Sequence, residues 1–334
     1  MSIITEHISE VGLKTYFVVF DMGKYCDEEL SDTLLDALVD FAFGYHTGIL
    51  KTYDRRKLKE AAKSIYNIDD YTNYKKTYID AGTCLNDEDD DTQNKYLKRG
   101  EFGELILHVL SRDFVKTLPL LSKIYFKDSD GMTVHGFDLV HIGPDPSGNG
   151  ESLYLGESKL YHRSKGSAGH LGIKDLIKDI KSHFSKDFLN REITLINKKM
   201  TSFPSESEYS DLNTKEAYKD FLKKKDIIVK KLEDVQNQKL RLQDFLKSVT
   251  IPLLCTYQSS LYSKPYNEKE FIDEYEREVR ELKSYFDEEL SKLPQEIGQP
   301  DKGNLNIILL LFPIKSKKEL LTLLHNKLYA QQSA

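Results

Sequence analysis

Residues 133–161 read TVHGFDLVHIGPDPSGNGESLYLGESKLY, two strand-like runs around a loop rich in Gly and Pro. Thr133–Ile142 and Ser152–Tyr161 are the runs, and Gly143–Gly150 carries the turn residues that join them. Side chains on a strand alternate between faces, so Glu157 and Lys159 share one face, as do Gly136, Asp138 and Val140. A hairpin-like connection centred near residue 147 sets Asp138 opposite residue 156 or 157. Asp138 and Glu157 are then expected as cross-strand neighbours, with β-carbons ~5 Å apart. Two carboxylates that close repel each other unless a cation lies between them or one keeps a proton. A divalent metal answers this: Mg²⁺ is typically held by one or two carboxylates, waters and substrate phosphate oxygens, and Mn²⁺ is its expected substitute. Lys159 adds an ammonium that orients the attacking water or stabilises charge developing on a phosphate. Such a site suits hydrolysis of a phosphodiester, since a bound metal lowers the pKa of its water and polarises the phosphoryl oxygen.

Working outward, Arg99–Ser111 has the apolar spacing of a helix, with Phe102, Leu105, Ile106, Val109 and Leu110 on one stripe. Glu101, Glu104 and His108 fall on the other face. Either glutamate is a candidate for the metal shell, although an acid in a first helical turn is also favoured by the helix dipole. Ser122–Lys127 reads as a third strand, and Leu171–Phe184 as a second helix after the segment His162–Gly169. In and beyond that segment, His162, Arg163, Lys165 and Lys174 are candidate nucleic-acid contacts. Val249–Tyr257 and Asn306–Pro313 are short, strongly apolar runs, the composition of strands buried on both faces. Helices are predicted at Lys215–Lys247, Lys269–Leu293 and Ser316–Leu328. The first part of the chain predicts a strand at Leu13–Phe20, helices at Glu28–Phe43 and Arg55–Tyr66, and a boundary at the acidic run Asp87–Asp91. The expected fold class is α/β, a mixed sheet flanked by helices. It is expected to divide into an N-terminal α+β region, 1–95, and a second domain, 96–334, that carries the candidate site, with a helical insertion at about 201–247.

Composition narrows the setting. The 334 residues are 39% hydrophobic and 31% charged, with no apolar run near the ~18 residues of a membrane span. The N-terminus lacks the basic-then-apolar pattern of a secretory signal, so a cytoplasmic location and no membrane partner are expected. Three scattered cysteines without a CxxC pair argue against a disulfide framework or structural zinc. A net charge of −6 is unlike that of passive nucleic-acid binders, so substrate contact calls for a local basic surface, a metal or a partner. No GxxxxGK[ST] is present, and no nucleotide cofactor is expected on this chain. The other acid-x-lysine triplets, Asp179-Ile-Lys181 and Glu281-Leu-Lys283, sit in charged helices and read as solvated faces. His135 and His141 alternate away from Asp138, which sets them apart from its metal.

The order RGEFGE (Arg99–Glu104), GFD (Gly136–Asp138) and GESK (Gly156–Lys159) resembles the PD-(D/E)XK nuclease superfamily, whose core is helix, strands, helix and strand. The resemblance implies a restriction-endonuclease-like fold, with Asp138 as the superfamily aspartate and Glu157 and Lys159 as the (D/E)XK pair. Glu104 matches the helix glutamate better than Glu101. More narrowly, GEFGELILHVL, HGFDLVHI, LYLGESKLY and IPLLCTY resemble the HamA family, the nuclease subunit of the bacterial Hachiman antiphage system. That resemblance implies a DNA substrate, a partner helicase (HamB) and control of the nuclease by it. A catalytically silent module of the same fold that binds nucleic acid or a helicase is the alternative reading, and a restriction or repair nuclease is another.

Overall fold

The computed structural model describes residues 2–51, 53–65, 100–122, 136–148, 150–162, 167–183, 185–199, 203, 205–209, 211–264, 267–293 and 305–333. The chain begins with β1 (Ile4–Glu10), β2 (Leu13–Val18) and a small hairpin, β3 (Phe20–Asp21) with β4 (Lys24–Tyr25). Helices α1 (Asp27–Asp36), α2 (Leu38–Gly44) and α3 (Arg55–Ile65) follow, with a π-helical turn Tyr45–Ile49 after α2. Next come α4 (Glu101–Asp113), β5 (Leu118–Leu121), β6 (Leu139–Pro144), β7 (Glu151–Tyr161), α5 (Ala168–His183) and α6 (Lys186–Lys199). The last part holds α7 (Leu212–Gln236), α8 (Leu242–Leu246), β8 (Val249–Gln258), α9 (Glu268–Lys292), β9 (Asn306–Ile314) and α10 (Lys317–Ser333).

The predicted hairpin exists in the predicted register: β6 and β7 pair antiparallel from Leu139 opposite Gly156 to Pro144 opposite Glu151. From β7 the sheet continues through the two apolar runs, with β8 parallel to β7 and β9 parallel to β8. Nearly every residue of β8 is buried, as its composition requires of a central strand. The full order is β1-β2-β9-β8-β7-β6-β5, so strands from before and after residue 95 share one mixed seven-stranded sheet flanked by helices. Within it, α4, β5, β6, β7, α5 and β8 follow the helix–strands–helix–strand order of a restriction-endonuclease-like α/β fold.

Several boundaries differ from the sequence reading. β1 was not foreseen, because a bulge between Glu6 and Ile8 breaks its alternation and leaves Ile4 and Ile8 buried at helix-like spacing. The expected helix Glu28–Phe43 is interrupted at Ala37, and Lys215–Lys247 ends its long helix at Gln236. The described strand before β6 is Leu118–Leu121; residues 123–127 of the expected strand lie outside the described residues. The acidic run 87–91, His135, Arg163 and Lys165 also lie outside them. The predicted strand Thr133–Ile142 starts only at Leu139, so Asp138 precedes the ladder instead of sitting within it.

Two glycines bring helices onto opposite faces of β7 and β8. A β-carbon on Gly103 of α4 would stand 3.2 Å from Ser158 Oγ and 3.4 Å from Leu160 Cβ. On the other face, a β-carbon on Gly172 of α5 would stand 2.6 Å from Cys255 Sγ, too close to exist without movement. Close approach of helix to sheet is what these glycines permit.

A buried polar chain ties α2 to α4 and β6. Asp40 Oδ2 accepts from Arg112 Nη1 at 2.7 Å and lies 2.8 Å from His108 Nε2. His108 Nδ1 is 3.1 Å from His141 Nε2, and His141 Nδ1 is 2.8 Å from Thr117 Oγ1. His108 was expected on a polar outer face with Glu104; it is only 2% exposed and belongs to this chain instead. Burial opposes the Asp40 charge, but the His108 hydrogen bond and the Arg112 charge outweigh it and hold the carboxyl below its ordinary value. A carboxyl depressed on folding stabilises the native state above the unfolded value of ~3.9 and loses that contribution as pH falls below it. Asp40→Ala should therefore cost about 3 kcal/mol at neutral pH in urea unfolding, because it removes the acceptor of buried His108 and of half-buried Arg112. The gap to wild type should shrink as pH drops below about 4.

Candidate functional site

β6 ends before β7 does. β7 pairs with β6 only up to Gly156, while its remaining residues to Tyr161 stay paired with β8 on the other side. Among the described residues no strand covers that freed edge, and a cavity of about 590 Å³ opens there. Because the edge is open, side chains from both faces of β7 reach the cavity: Ser158 and Leu160 from the α4 side, Lys159 and Tyr161 from the α5 side. Glu104 of α4, Asp138 and His162 line it too.

Asp138 explains why the β6 ladder stops where it does. Its Oδ2 accepts from the Ser158 backbone N–H at 2.9 Å and from Ser158 Oγ at 2.8 Å. A side chain has thus taken a main-chain donor at the end of the ladder. Extended by one residue, the register places Asp138 opposite Glu157, the neighbour expected from the loop centre.

Glu157 does not line the cavity; its side chain is only 4% exposed, and its Oε1 lies 2.6 Å from His183 Nδ1 at the end of α5. Burial, with the Asp138 charge adding to it, pushes the Glu157 carboxyl up to about 8 against the His183 hydrogen bond. Burial works the other way on His183, but the hydrogen bond and charge of Glu157 outweigh it and raise the imidazole. The pair therefore retains a proton through neutral pH. His183 is itself stacked on Phe188, with ring centroids 4.6 Å apart.

Lys159 Nζ meets Asp179 Oδ2 at 2.5 Å, and that hydrogen bond overcomes the burial that would lower the ammonium. The triplet Asp179-Ile-Lys181, expected as a solvated face, is thereby corrected at Asp179, which turns inward while Lys181 stays exposed. One helical turn earlier, Asp175 accepts from Lys178 Nζ at 2.5 Å and from the Tyr161 hydroxyl. His183, Asp175 and Asp179 were not singled out from sequence as parts of the site. Their one signal was the i, i+4, i+8 spacing of Asp175, Asp179 and His183 on a single helix face, visible only once that helix is known to cover β7.

The nominated residues therefore divide. Glu104, Asp138, Lys159 and His162 border one cavity, with Glu157 buried beside it and coupled to Asp138 by charge. Glu101, in the same first turn as Glu104, is absent from the wall, and Lys174 is exposed on α5 away from it. His141 hydrogen-bonds within the buried Asp40 chain, through His108 and Thr117. Among the described residues no three His, Cys, Asp or Glu side chains converge closely enough to enclose a metal on their own.

A family model described as HamA matches residues 2–328. The chain belongs to the HamA family. The match reaches from β1 to α10 and so covers both the first strands and the whole wall of the cavity. Membership in the HamA family supports a role in Hachiman-type defence. No curated relative matches the chain. Among the described residues no helix is long and apolar enough to cross a membrane.

The raised Glu157 carboxyl makes a directional prediction. A carboxyl raised on folding stabilises the native state below its unfolded value, and the contribution is lost as pH climbs through the folded value, here about 8. Wild-type protein in metal-free buffer should lose about 1.4 kcal/mol for each pH unit between the unfolded value of ~4.3 and about 8 through this group, and nothing further above 8. Glu157→Gln should remove that slope, which urea unfolding across about pH 5 to 9 will read as a fall for wild type up to about 8 that the variant lacks.

Proposed function

We propose that the chain is a Mg²⁺-dependent nuclease that hydrolyses phosphodiester bonds of DNA, the effector of an antiphage system under the control of a partner helicase. The observation that carries the reading is the meeting of Glu104, Asp138 and Lys159 at one open strand edge, next to Glu157, in a HamA-family chain. The same order of helix, antiparallel strands, helix and parallel strand supports placing it in the PD-(D/E)XK superfamily.

The donor set fits a hard divalent cation. Asp138, Glu157 and Glu104 offer carboxylate oxygens only; burial chiefly raises Glu157, and the Asp138 charge that adds to it is one a cation would relieve. These three residues would hold the metal, with Glu104 preferred over Glu101 because it borders the cavity. Once bound, the ion supplies an acidified water and polarises the phosphate.

The chain's own groups do the rest. Ser158 fixes the Asp138 carboxylate through two donors, so its direction is set before any substrate arrives. Asp179 holds Lys159 at the cavity wall, where the ammonium orients a water or meets charge on the phosphate. His183 keeps Glu157 from being a bare buried anion in the resting protein. Lys178 and His162 stand at the rim, with Lys174 farther along the helix, as candidate contacts to the nucleic-acid backbone.

Purified protein with plasmid DNA, with and without Mg²⁺ and the partner helicase, tests this. Glu157→Ala or Lys159→Ala should lower Mg²⁺-dependent cleavage by roughly 10²-fold or more. Calorimetry with Mn²⁺ should show binding to wild type that Asp138→Ala weakens. Cleavage at the wild-type rate by either alanine variant overturns the assignment, and no cleavage by wild type under any of these conditions favours the silent module.

A further inference from the structure

One wall of the cavity comes from a part of the chain that the sequence reading left as a plain helix. Lys317, the first residue of α10, follows β9, whose carboxyl end lies at the same end of the parallel ladder as the ends of β7 and β8. Ligands of α/β sheets bind outside those carboxyl ends. Lys317 is only 4% exposed, and its Nζ donates to the Leu160 carbonyl at 2.6 Å. It borders the cavity together with Glu104, Asp138 and Lys159.

Charge accounting separates Lys317 from the other two lysines on the wall. Lys159 is paired with Asp179, and Lys178 with Asp175. Lys317 has no carboxylate partner among the described residues; a single carbonyl is all that meets it. An ammonium carries three donors, so two remain for something else. Burial without an opposite charge pulls this lysine down to about 8. A structural lysine is ordinarily solvated or paired, because burying its charge alone is costly. A hydrophobic side chain would fill the same position at less cost.

We infer that Lys317 is a phosphate-binding residue of the site, receiving a non-bridging oxygen of a nucleic-acid strand that enters along the open edge of β7. The anion supplies the missing counter-charge, and the Leu160 carbonyl holds Nζ at the wall between visits. Lys317 reaches the strand from α10, while the acids meet it from α4 and the start of β6. The strand is thereby gripped by its backbone, with no reading of its bases. This inference rests on the nuclease reading above.

The test is fluorescence anisotropy of a short fluorescein-labelled single-stranded DNA with the full-length protein in EDTA, across a salt series. Lys317→Met should bind roughly tenfold or more weakly, since a charged hydrogen bond is lost. Its slope of log affinity against log salt should be shallower by about 0.7, one phosphate contact on a single strand. Lys317→Arg should keep the wild-type slope, and thermal melts of both variants will show whether each is folded. If Lys317→Met does not fold, Lys317→Arg decides alone, and a slope shallower than wild type overturns the inference. A folded Lys317→Met with wild-type affinity and slope overturns the inference and leaves the nuclease reading standing. Wild type that neither binds nor cleaves DNA overturns both.

Discussion

β7 is buried on both faces along most of its length, yet it carries Glu157 and Lys159, and the surrounding structure is arranged around that conflict. A charge inside a covered sheet must be neutralised, paired or hydrogen-bonded. Here α5 supplies both partners from one face, His183 to Glu157 and Asp179 to Lys159. Ser158 points to the opposite face and takes the Asp138 carboxylate. The strand that makes the site is thus held by two helices and a neighbouring carboxylate, each satisfying a group that burial would otherwise penalise.

The unequal lengths of the two hairpin strands turn this into an accessible site. Had β6 continued past Leu139, the Ser158 N–H would be occupied by a main-chain carbonyl and the edge of β7 would be closed. With Asp138 capping the ladder, side chains of both sheet faces meet across an edge that no strand among the described residues covers. This is how Glu104 on one side and Lys159 on the other come to border a single cavity, although alternation along β7 assigns their neighbours to different faces. The Asp40 chain supports the arrangement from beneath, tying α2 to the helix that carries Glu104 and to the strand that follows Asp138.

Polarity in this cavity is balanced in pairs. Each cation on the α5 wall has its own carboxylate, which keeps the resting site nearly neutral in an acidic protein. Among the described residues the Lys317 ammonium from α10 is the cation on this wall that no carboxylate meets. The HamA family match, residues 2–328, extends over the elements that bear the site and the strands flanking it.

The hairpin that Asp138 precedes and that bears Glu157 and Lys159, its register and the central place of the two apolar runs were legible from local signals. Strand alternation, turn residues and apolar run length act over a few residues, and sequence order preserves them. The start of β6 at Leu139, the burial of His108 and the inward turn of Asp179 were not legible, because each depends on which element packs opposite. His183 and Lys317 are the clearest cases. Lys317 lies more than 150 residues beyond Glu157, and only the parallel crossovers of β7, β8 and β9 bring the two ends of that stretch to one edge of the sheet. Residue types and spacing by themselves determined which groups stand together, since the loop centre and strand alternation bring Asp138 opposite Glu157 with Lys159 alongside. The tertiary structure alone decided the partners, because hydrogen bonding and burial are set by neighbours that the chain order does not reveal.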